Sequence, residues 1–245
     1  MLQISSDQHQ QFCRDGFIVV PNVLNDEQLR RAQAYASGAE YDDLHPNRKD
    51  HRRIFEESGD VIRDLYQEAG IGEMANQLLR ADLRFETPGH AQIIRTTPPY
   101  DGPAVPHFDT PGNLLPDGFP TIFNVLVGVW LCDHYLPDRP GVWVWPGSHI
   151  LFGQYLSEHG TGVVWELAQT NGVRYPDVAL DEPVQLVGTA GSVVFAHYLL
   201  GHASGPHQGE APVRETLYFR IVTSTIRETW KRDLCEPLSP YIQAE

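Results

Sequence analysis

Histidine and aspartate side chains in the second half of the sequence have the types and spacing of metal ligands. In His107-Phe108-Asp109 an imidazole and a carboxylate lie two residues apart, and on an extended strand such residues point to the same face. The pair could therefore hold one metal ion. Because a chain with 11 histidines produces His-x-Asp by chance, the tripeptide alone is a weak signal. The prolines and glycine that flank it indicate the mouth of a sheet, where functional groups tend to lie.

A second stretch, residues 191–206, offers a further ligand. A Gly-Ser turn begins a buried apolar strand, His197 follows that strand, and His202 lies just before a Ser-Gly-Pro turn. Either histidine could supply the third ligand. His197 directly follows the buried strand and can equally be a hydrogen-bonded core residue.

An arginine beyond this stretch favours His202. Arg214 follows His202 by twelve residues, across a turn-rich segment. If the two flanks form an antiparallel pair, Arg214 returns beside His202 at the same end of the pocket, where its guanidinium could clamp a carboxylate. Arg220 is a rival for that role.

The ligand types restrict the metal and its chemistry. Two histidines and one carboxylate that leave open positions are typical of non-haem Fe(II) oxygenases, although the same ligands also suit zinc. A carboxylate-binding arginine nearby favours iron with an acidic co-substrate over a hydrolytic zinc site. The sequence contains no Gly-x-Ser-x-Gly, no phosphate-binding glycine loop and no Cys-x-x-Cys that would indicate another chemistry.

The elements that must position these residues differ between the two parts of the chain. Periodicity and capping residues predict helices in the first part, over residues 6–14, 26–36, 60–69 and 72–79. Short β-favouring runs predict strands over residues 17–20, 83–86, 91–95, 105–109, 123–131, 142–145, 184–187, 192–195 and 214–222. This order predicts an α+β fold in one domain, with helices packed on one face of a double-sheet barrel. Residues 40–53 are predicted to form a surface loop, and residues 151–181 an excursion over the surface.

Composition excludes several classes of partner. The 18 basic and 32 acidic residues give a net charge of −14, which repels nucleic acid and anionic lipid. No apolar run is long enough for a membrane helix, and residues 1–10 do not have the pattern of a signal peptide. The 3 cysteines are far apart, which is typical of a reducing compartment. We therefore expect a cytoplasmic protein with a small-molecule substrate, while the oligomeric state stays open.

Four segments, in order, resemble the phytanoyl-CoA dioxygenase family of Fe(II)/2-oxoglutarate oxygenases. They are the opening helix-to-strand segment 11–21, the dyad His107-Phe108-Asp109, the Pro-Gly-Ser-His signature within residues 141–149 and the distal-histidine block 191–206. The resemblance implies a double-stranded β-helix (jelly-roll) core over residues 81–225, flanked by helices mainly within residues 1–80. Together these form a single domain over residues 1–245.

The resemblance also implies roles for individual residues. His107, Asp109 and His202 would bind the iron. Arg214, supported by Ser204, would hold the far carboxylate of 2-oxoglutarate.

Further positions match or depart from the family. Trp130 matches a position that lines the co-substrate pocket, and Gln92 and His90 precede the dyad on a strand from which they could reach the co-substrate. Phe108 stands where relatives often have a polar residue, and His207 stands where an asparagine is usual. The spacing between the distal histidine and the arginine is one residue longer than common, which keeps Arg220 as an alternative clamp.

The implied activity is that of a dioxygenase that uses Fe(II), 2-oxoglutarate and O2. It would oxidise a C–H bond of a small metabolite or natural-product intermediate and release succinate and CO2. Two alternatives are a catalytically silent ligand-binding protein on the same scaffold and a cupin-like hydrolase or isomerase that uses zinc or manganese. Residues 149–175 are a candidate lid.

Overall fold

The computed structural model describes residues 3–38, 42–43, 50–55, 61–89, 91–96, 105–109, 119–134, 141–169, 175–205 and 214–242. Its helices are α1 (Ser6–Asp15), α2 (Asp26–Gly38), α3 (Val61–Glu68), α4 (Ile71–Asn76), α5 (Ser148–His159), α6 (Val163–Gln169) and α7 (Ile226–Cys235). The four helices predicted in the first part of the chain are confirmed as α1 to α4. None of the helices in these ranges combines the length and the apolar character that crossing a bilayer would take.

Local signals explain where α1 begins and ends. The Ser5 hydroxyl accepts a hydrogen bond from the Gln8 backbone amide, and the Gln8 side chain accepts one from the Ser5 amide in return. This capping box satisfies two amides that lack helical partners. Gly16 ends the helix with φ 84°, a left-handed conformation that glycine adopts without steric cost.

The strands are β1 (Phe17–Val20), β2 (Asp42–Asp43), β3 (Asp50–Phe55), β4 (Ala91–Thr96), β5 (Val125–Trp130), β6 (Val142–Val144), β7 (Val184–Gln185), β8 (Val193–His197), β9 (His202–Ser204) and β10 (Arg214–Ile221). A seven-stranded sheet has the order β1-β8-β5-β10-β4-β3-β2, and a three-stranded sheet has the order β7-β6-β9. Every pairing is antiparallel. Within the described ranges the two sheets do not close into a barrel.

The large sheet has two different faces because side chains alternate along each strand. On β10, Leu217 and Phe219 are buried in the cluster formed with α1 to α4, whereas Tyr218 and Arg220 face the opposite side and line a pocket. The helices therefore cover one face of the large sheet, as predicted. The other face is directed toward the small sheet, and the candidate site residues Asp109, His202 and Arg220 line the pocket on this side.

A smaller apolar cluster joins the two sheets behind this pocket. Val194 and Ala196 of β8 pack with Val144 of β6 and with Leu186. Trp130 of β5 is fully buried in the same cluster. The apolar contacts hold the small sheet, which carries His202, at a fixed place over the large one.

Three predictions of local structure within the first 110 residues are wrong. Residues 40–53 were expected to form a surface loop, but residues 42–43 and 50–53 belong to β2 and β3, while residues 40–41 and 44–49 lie outside the described residues. β3 pairs with β4 along six residues. Because β4 is about 40 residues away in sequence, no local pattern predicts this pairing. The runs 83–86 and 105–109, expected as strands, each contribute only an isolated bridge.

The predicted surface excursion and candidate lid contain packed helices. Phe152 and Leu156 of α5 and Val164 of α6 are fully buried, and they join a third apolar cluster with α7. The apolar sides of α5 and α6 are therefore part of the core of the protein. Helix α7 was not predicted.

Candidate metal centre

His107 and His202 are brought together by the backbone. The amide of each residue donates a hydrogen bond to the carbonyl of the other at 2.9 Å, forming an isolated antiparallel bridge. Their ring centroids lie 4.4 Å apart. The two stretches that the sequence singled out thus meet at these two residues.

Asp109 reaches the same point two residues after His107. Its Oδ1 lies 3.6 Å from Nε2 of His202. The expected geometry, with His107 and Asp109 on one face, is present although only a bridge and no regular strand forms here. Between them Phe108 points the other way and is fully buried against Phe152 and Tyr198, which explains an apolar residue at this position.

The ligand atoms of His107, Asp109 and His202 all lie within 4.8 Å of one another. A metal bonded to three such atoms at about 2.1 Å each holds them roughly 3–4 Å apart, so small side-chain movements complete the site. Two imidazole nitrogens and one carboxylate oxygen, with the remaining positions open to a pocket, suit Fe(II). The residues present therefore fit a mononuclear metal centre.

A hydrogen bond fixes the tautomer of His202. Its Nδ1 donates to the Leu200 carbonyl at 3.0 Å. In the neutral ring this leaves the lone pair on Nε2, the nitrogen that faces Asp109. Such a bond on the second ring nitrogen is the usual way in which a metal-binding histidine is oriented.

The Pro-Gly-Ser-His signature positions the turn before His202. The buried Ser148 hydroxyl accepts a hydrogen bond from the Gly201 amide at 2.9 Å and donates one to the Trp145 carbonyl at 2.6 Å. His149 is also buried and donates to the Cys13 carbonyl. The signature is thus a structural support for the distal histidine and does not line the pocket.

Arg220 lies beside Asp109. Its Nε and Nη2 donate to Oδ2 of Asp109 at 3.1 and 2.5 Å, and its Nη1 donates to Oε1 of Gln92 at 2.8 Å. Burial acts to raise the pKa of Asp109, but the charge of Arg220 outweighs it and holds that pKa well below its usual range. The carboxylate is therefore ionised at any physiological pH.

Arg214 occupies a different place on the same strand. It is buried, and its Nη1 donates to the Gly205 carbonyl at 3.0 Å while Nη2 donates to the Thr96 hydroxyl at 3.3 Å. The prediction that the flanks of His202 and Arg214 form an antiparallel pair is wrong, because β9 and β10 belong to different sheets. The contact with Gly205 nevertheless brings Arg214 next to Ser204.

The other residues predicted for the site have different surroundings. Ser204 lines the pocket together with the three candidate ligands. Gln92 is buried and contacts Arg220, and Trp130 is buried behind the pocket, stacked on His134 with a centroid distance of 4.7 Å. His90 and His207 lie outside the described residues.

The sequence did not point to most of the pocket wall. Apolar side chains from both sheets form it: Ile94, Leu126, Val142, Val144, Leu186, Val194 and Ala196. Tyr218 completes the polar part of the lining. The alternation of β10 could have identified Tyr218, since it lies two residues before Arg220.

Comparisons with known proteins agree with this architecture. The solved structure of the non-heme alpha ketoglutarate dependent epimerase SnoN from nogalamycin biosynthesis has a TM-score of 0.62 at 18% identity, over 87% of this chain and 80% of that one. The carbocyclase SnoK from the same biosynthesis has a TM-score of 0.59 at 17% identity, over 98% and 94% of the two chains. HygX from Streptomyces hygroscopicus, with nickel, 2-oxoglutarate and hygromycin B bound, has a TM-score of 0.56 at 15% identity, over 89% and 87%.

These likenesses confirm the predicted α+β fold with a jelly-roll core. No curated protein matches the chain. The sequence model of the phytanoyl-CoA dioxygenase (PhyH) family matches residues 12–216, which is most of the chain. The protein therefore belongs to the phytanoyl-CoA dioxygenase family.

Proposed function

We propose that the protein is an Fe(II)- and 2-oxoglutarate-dependent dioxygenase. It oxidises a C–H bond of a small metabolite or natural-product intermediate in the cytoplasm and releases succinate and CO2. The observation that carries the proposal is the His107–Asp109–His202 group, whose ligand atoms lie within 4.8 Å of one another at the wall of a pocket. The ligand-bound relatives support it: SnoN was solved with Fe3+ and alpha ketoglutarate, and HygX with nickel and 2-oxoglutarate.

In this proposal the three residues bind the metal on one face and leave the other positions to the pocket. When bound, Fe(II) with 2-oxoglutarate supplies the activation of O2 for C–H oxidation. Ionised Asp109 contributes one negative charge, and the two neutral imidazoles contribute nitrogen lone pairs, of which that of His202 is fixed by the Leu200 carbonyl.

Arg214 and Ser204 are the residues that we assign to the far carboxylate of 2-oxoglutarate. Arg220 is already paired with Asp109 at the metal end of the pocket. Arg214 lies on the same face of β10 as Arg220, and its guanidinium contacts Gly205, which is the residue after Ser204 and three residues after His202. A bidentate guanidinium–carboxylate contact at the end away from the metal fixes both the position and the orientation of a keto diacid.

The apolar wall of the pocket has two roles in this proposal. Side chains such as Val142 and Leu186 exclude water from the reaction. They also favour a substrate with an apolar body. The epimerase SnoN and the carbocyclase SnoK indicate that hydroxylation is one of several outcomes, and product analysis would identify the outcome here.

The proposal is tested by adding Fe(II) and 2-oxoglutarate to metal-free protein without oxygen, then admitting O2. We expect a visible charge-transfer band in the first step and succinate in the second. Tight binding of zinc or manganese with no band would favour the hydrolase or isomerase alternative. A band that forms without any succinate, with or without candidate substrates, would favour a ligand-binding protein.

A further inference from the structure

The contact between Arg220 and Asp109 is asymmetric. Both donors, Nε and Nη2, go to the single oxygen Oδ2, at 3.1 and 2.5 Å. Oδ1, the other oxygen, is the one that lies 3.6 Å from Nε2 of His202. The two oxygens of one carboxylate thus have different surroundings, one inside an ion pair and one inside the candidate metal site.

The guanidinium is itself held in place from two further directions. Nη1 donates to Oε1 of Gln92 at 2.8 Å, and Gln92 is buried on β4 opposite Tyr218 of β10. The Phe123 ring lies 5.6 Å from the guanidinium carbon, within the range of a cation–π contact. Arg220 cannot follow a rotation of the Asp109 carboxylate without losing these contacts.

We propose that Arg220 is a positioning residue. It holds Oδ2 of Asp109 in its own hydrogen bonds, so that the carboxylate binds the metal through Oδ1 alone. Two charge-assisted hydrogen bonds occupy the lone pairs of Oδ2, and bidentate ligation would require breaking them. One coordination position that a bidentate carboxylate would fill therefore stays open for co-substrate and O2. The inference rests on the proposed function, since it concerns the same metal.

The same sheet contains a matched ion pair away from the site. Arg95 of β4 lies 3.0 Å from Glu215 of β10, and these residues are cross-strand neighbours. Along β10 the side chains of Thr216 and Tyr218 point to the face of the sheet that carries the pocket. Glu215 precedes Thr216 by one residue, so its side chain and the pair with Arg95 lie on the other face. Replacing Arg95 removes an arginine–carboxylate pair without changing the candidate ligands.

The test measures the affinity of metal-free variants for Co(II) added alone, together with the absorption spectrum of the Co(II) protein. Replacement of a residue that orients a metal ligand weakens metal binding about 10- to 100-fold, and we expect that loss for Arg220→Met. Gln92→Leu removes only the support of the guanidinium and should weaken binding less. Arg95→Met should bind Co(II) like the parent protein.

The absorption spectrum of the Co(II) protein distinguishes the loss of the positioning role of Arg220 from general damage to the fold. In Arg220→Met the freed carboxylate can bind through both oxygens, so the ligand-field bands should change in intensity as the coordination number rises. Arg220→Lys keeps the charge but not the fork of donors, and we expect it to have the altered spectrum with a smaller loss of affinity. If Arg220→Met does not fold, Arg220→Lys and Gln92→Leu still decide the question.

Unchanged affinity and spectrum in folded Arg220 variants would overturn the inference, as would a Co(II)-loaded structure with Asp109 bound through both oxygens. The proposed function would survive either result. It fails instead if the parent protein does not bind Fe(II) or Co(II), or if His107→Ala and His202→Ala bind as tightly as the parent.

Discussion

At the scale of single residues, the chemistry depends on how a few polar side chains are restrained. His202 is held by the Leu200 carbonyl, Asp109 by Arg220, and Arg220 by Gln92. Each restraint comes from a different part of the chain. Residue types and spacing predicted the candidate ligands, whereas the orientation of Asp109 depends on Arg220, which is more than 100 positions away and is itself held by Gln92.

The first prediction concerns the carboxylate ligand. Asp109→Ala should abolish iron-dependent succinate formation, because it removes the negatively charged ligand and leaves Arg220 without its carboxylate partner. Succinate is measured after addition of Fe(II), 2-oxoglutarate and O2. The exposed Asp177 provides a control, since Asp177→Ala should keep the parent rate. Turnover that persists in Asp109→Ala would remove Asp109 from the metal.

The second prediction concerns the co-substrate. Arg214→Ala should raise the KM for 2-oxoglutarate by roughly 10- to 150-fold, the equivalent of the 1.5–3 kcal/mol that a charge-assisted contact typically contributes. Iron affinity should change much less, because Arg214 contacts Gly205 and Thr96 and not the candidate ligands. Steady-state kinetics and metal titration of the same variant compare the two effects. A larger loss of iron affinity than of 2-oxoglutarate affinity would contradict the assignment.

At the scale of elements, the site is formed where the small sheet lies over the large one. β9 carries His202 and Ser204, while β10 carries Arg214 and Arg220. Local patterns predicted the position of β10 to within one residue, because its apolar and polar residues alternate. The same patterns did not predict β2 or β3, whose stability depends on pairing with a distant strand.

The third prediction tests the packing between the two sheets. A Cβ atom at Gly188 would overlap Cζ3 of the buried Trp130, whereas one at Gly89 would meet nothing within 4 Å. Because Trp130 is fully buried and stacked on His134, Gly188→Ala should lower the free energy of unfolding by about 1–3 kcal/mol. Urea unfolding of both variants measures the difference. Equal stability of Gly188→Ala and Gly89→Ala would contradict the prediction, because it would mean that the indole of Trp130 can move away from the added methyl group.

At the scale of the whole molecule, a buried pair of histidines joins the N-terminal helix to the C-terminal segment. The rings of His149 and His197 are 5.0 Å apart and both are buried. His149 donates to the Cys13 carbonyl, and His197 donates from Nε2 to the Pro237 carbonyl while its Nδ1 accepts from the Leu199 amide. These contacts require a neutral imidazole at His197.

The fourth prediction is that the protein loses stability as the pH falls below neutrality. Burial lowers the pKa of His149 to about 4 and the pKa of His197 well below its usual value. A histidine in the unfolded chain takes up a proton near pH 6.5, so protonation favours unfolding below that pH. The stabilisation from His149 is therefore complete above pH 6.5 and is lost progressively as the pH falls toward 4.

Between pH 7 and pH 5 we expect a loss on the order of 2 kcal/mol from His149 alone. Urea unfolding at a series of pH values measures it. His197→Gln should reduce the dependence on pH, whereas replacement of His159, which is exposed on α5, should leave it unchanged. A free energy of unfolding that is constant from pH 7 to pH 5 would contradict the prediction.

The sequence by itself determined the class of fold, the helices of the first 80 residues and the identity of the residues that meet at the site. The helices and strands follow from local information such as capping residues and alternation, and the pair His107 and Asp109 follows from its short spacing. His202 was assigned by the position of Arg214 and by the resemblance to the family. The tertiary structure decided what each of those residues touches. Only the packing of two sheets brings His202 against His107 and turns Arg220 onto one oxygen of Asp109, because such contacts are fixed by the pairing of strands that are distant in sequence.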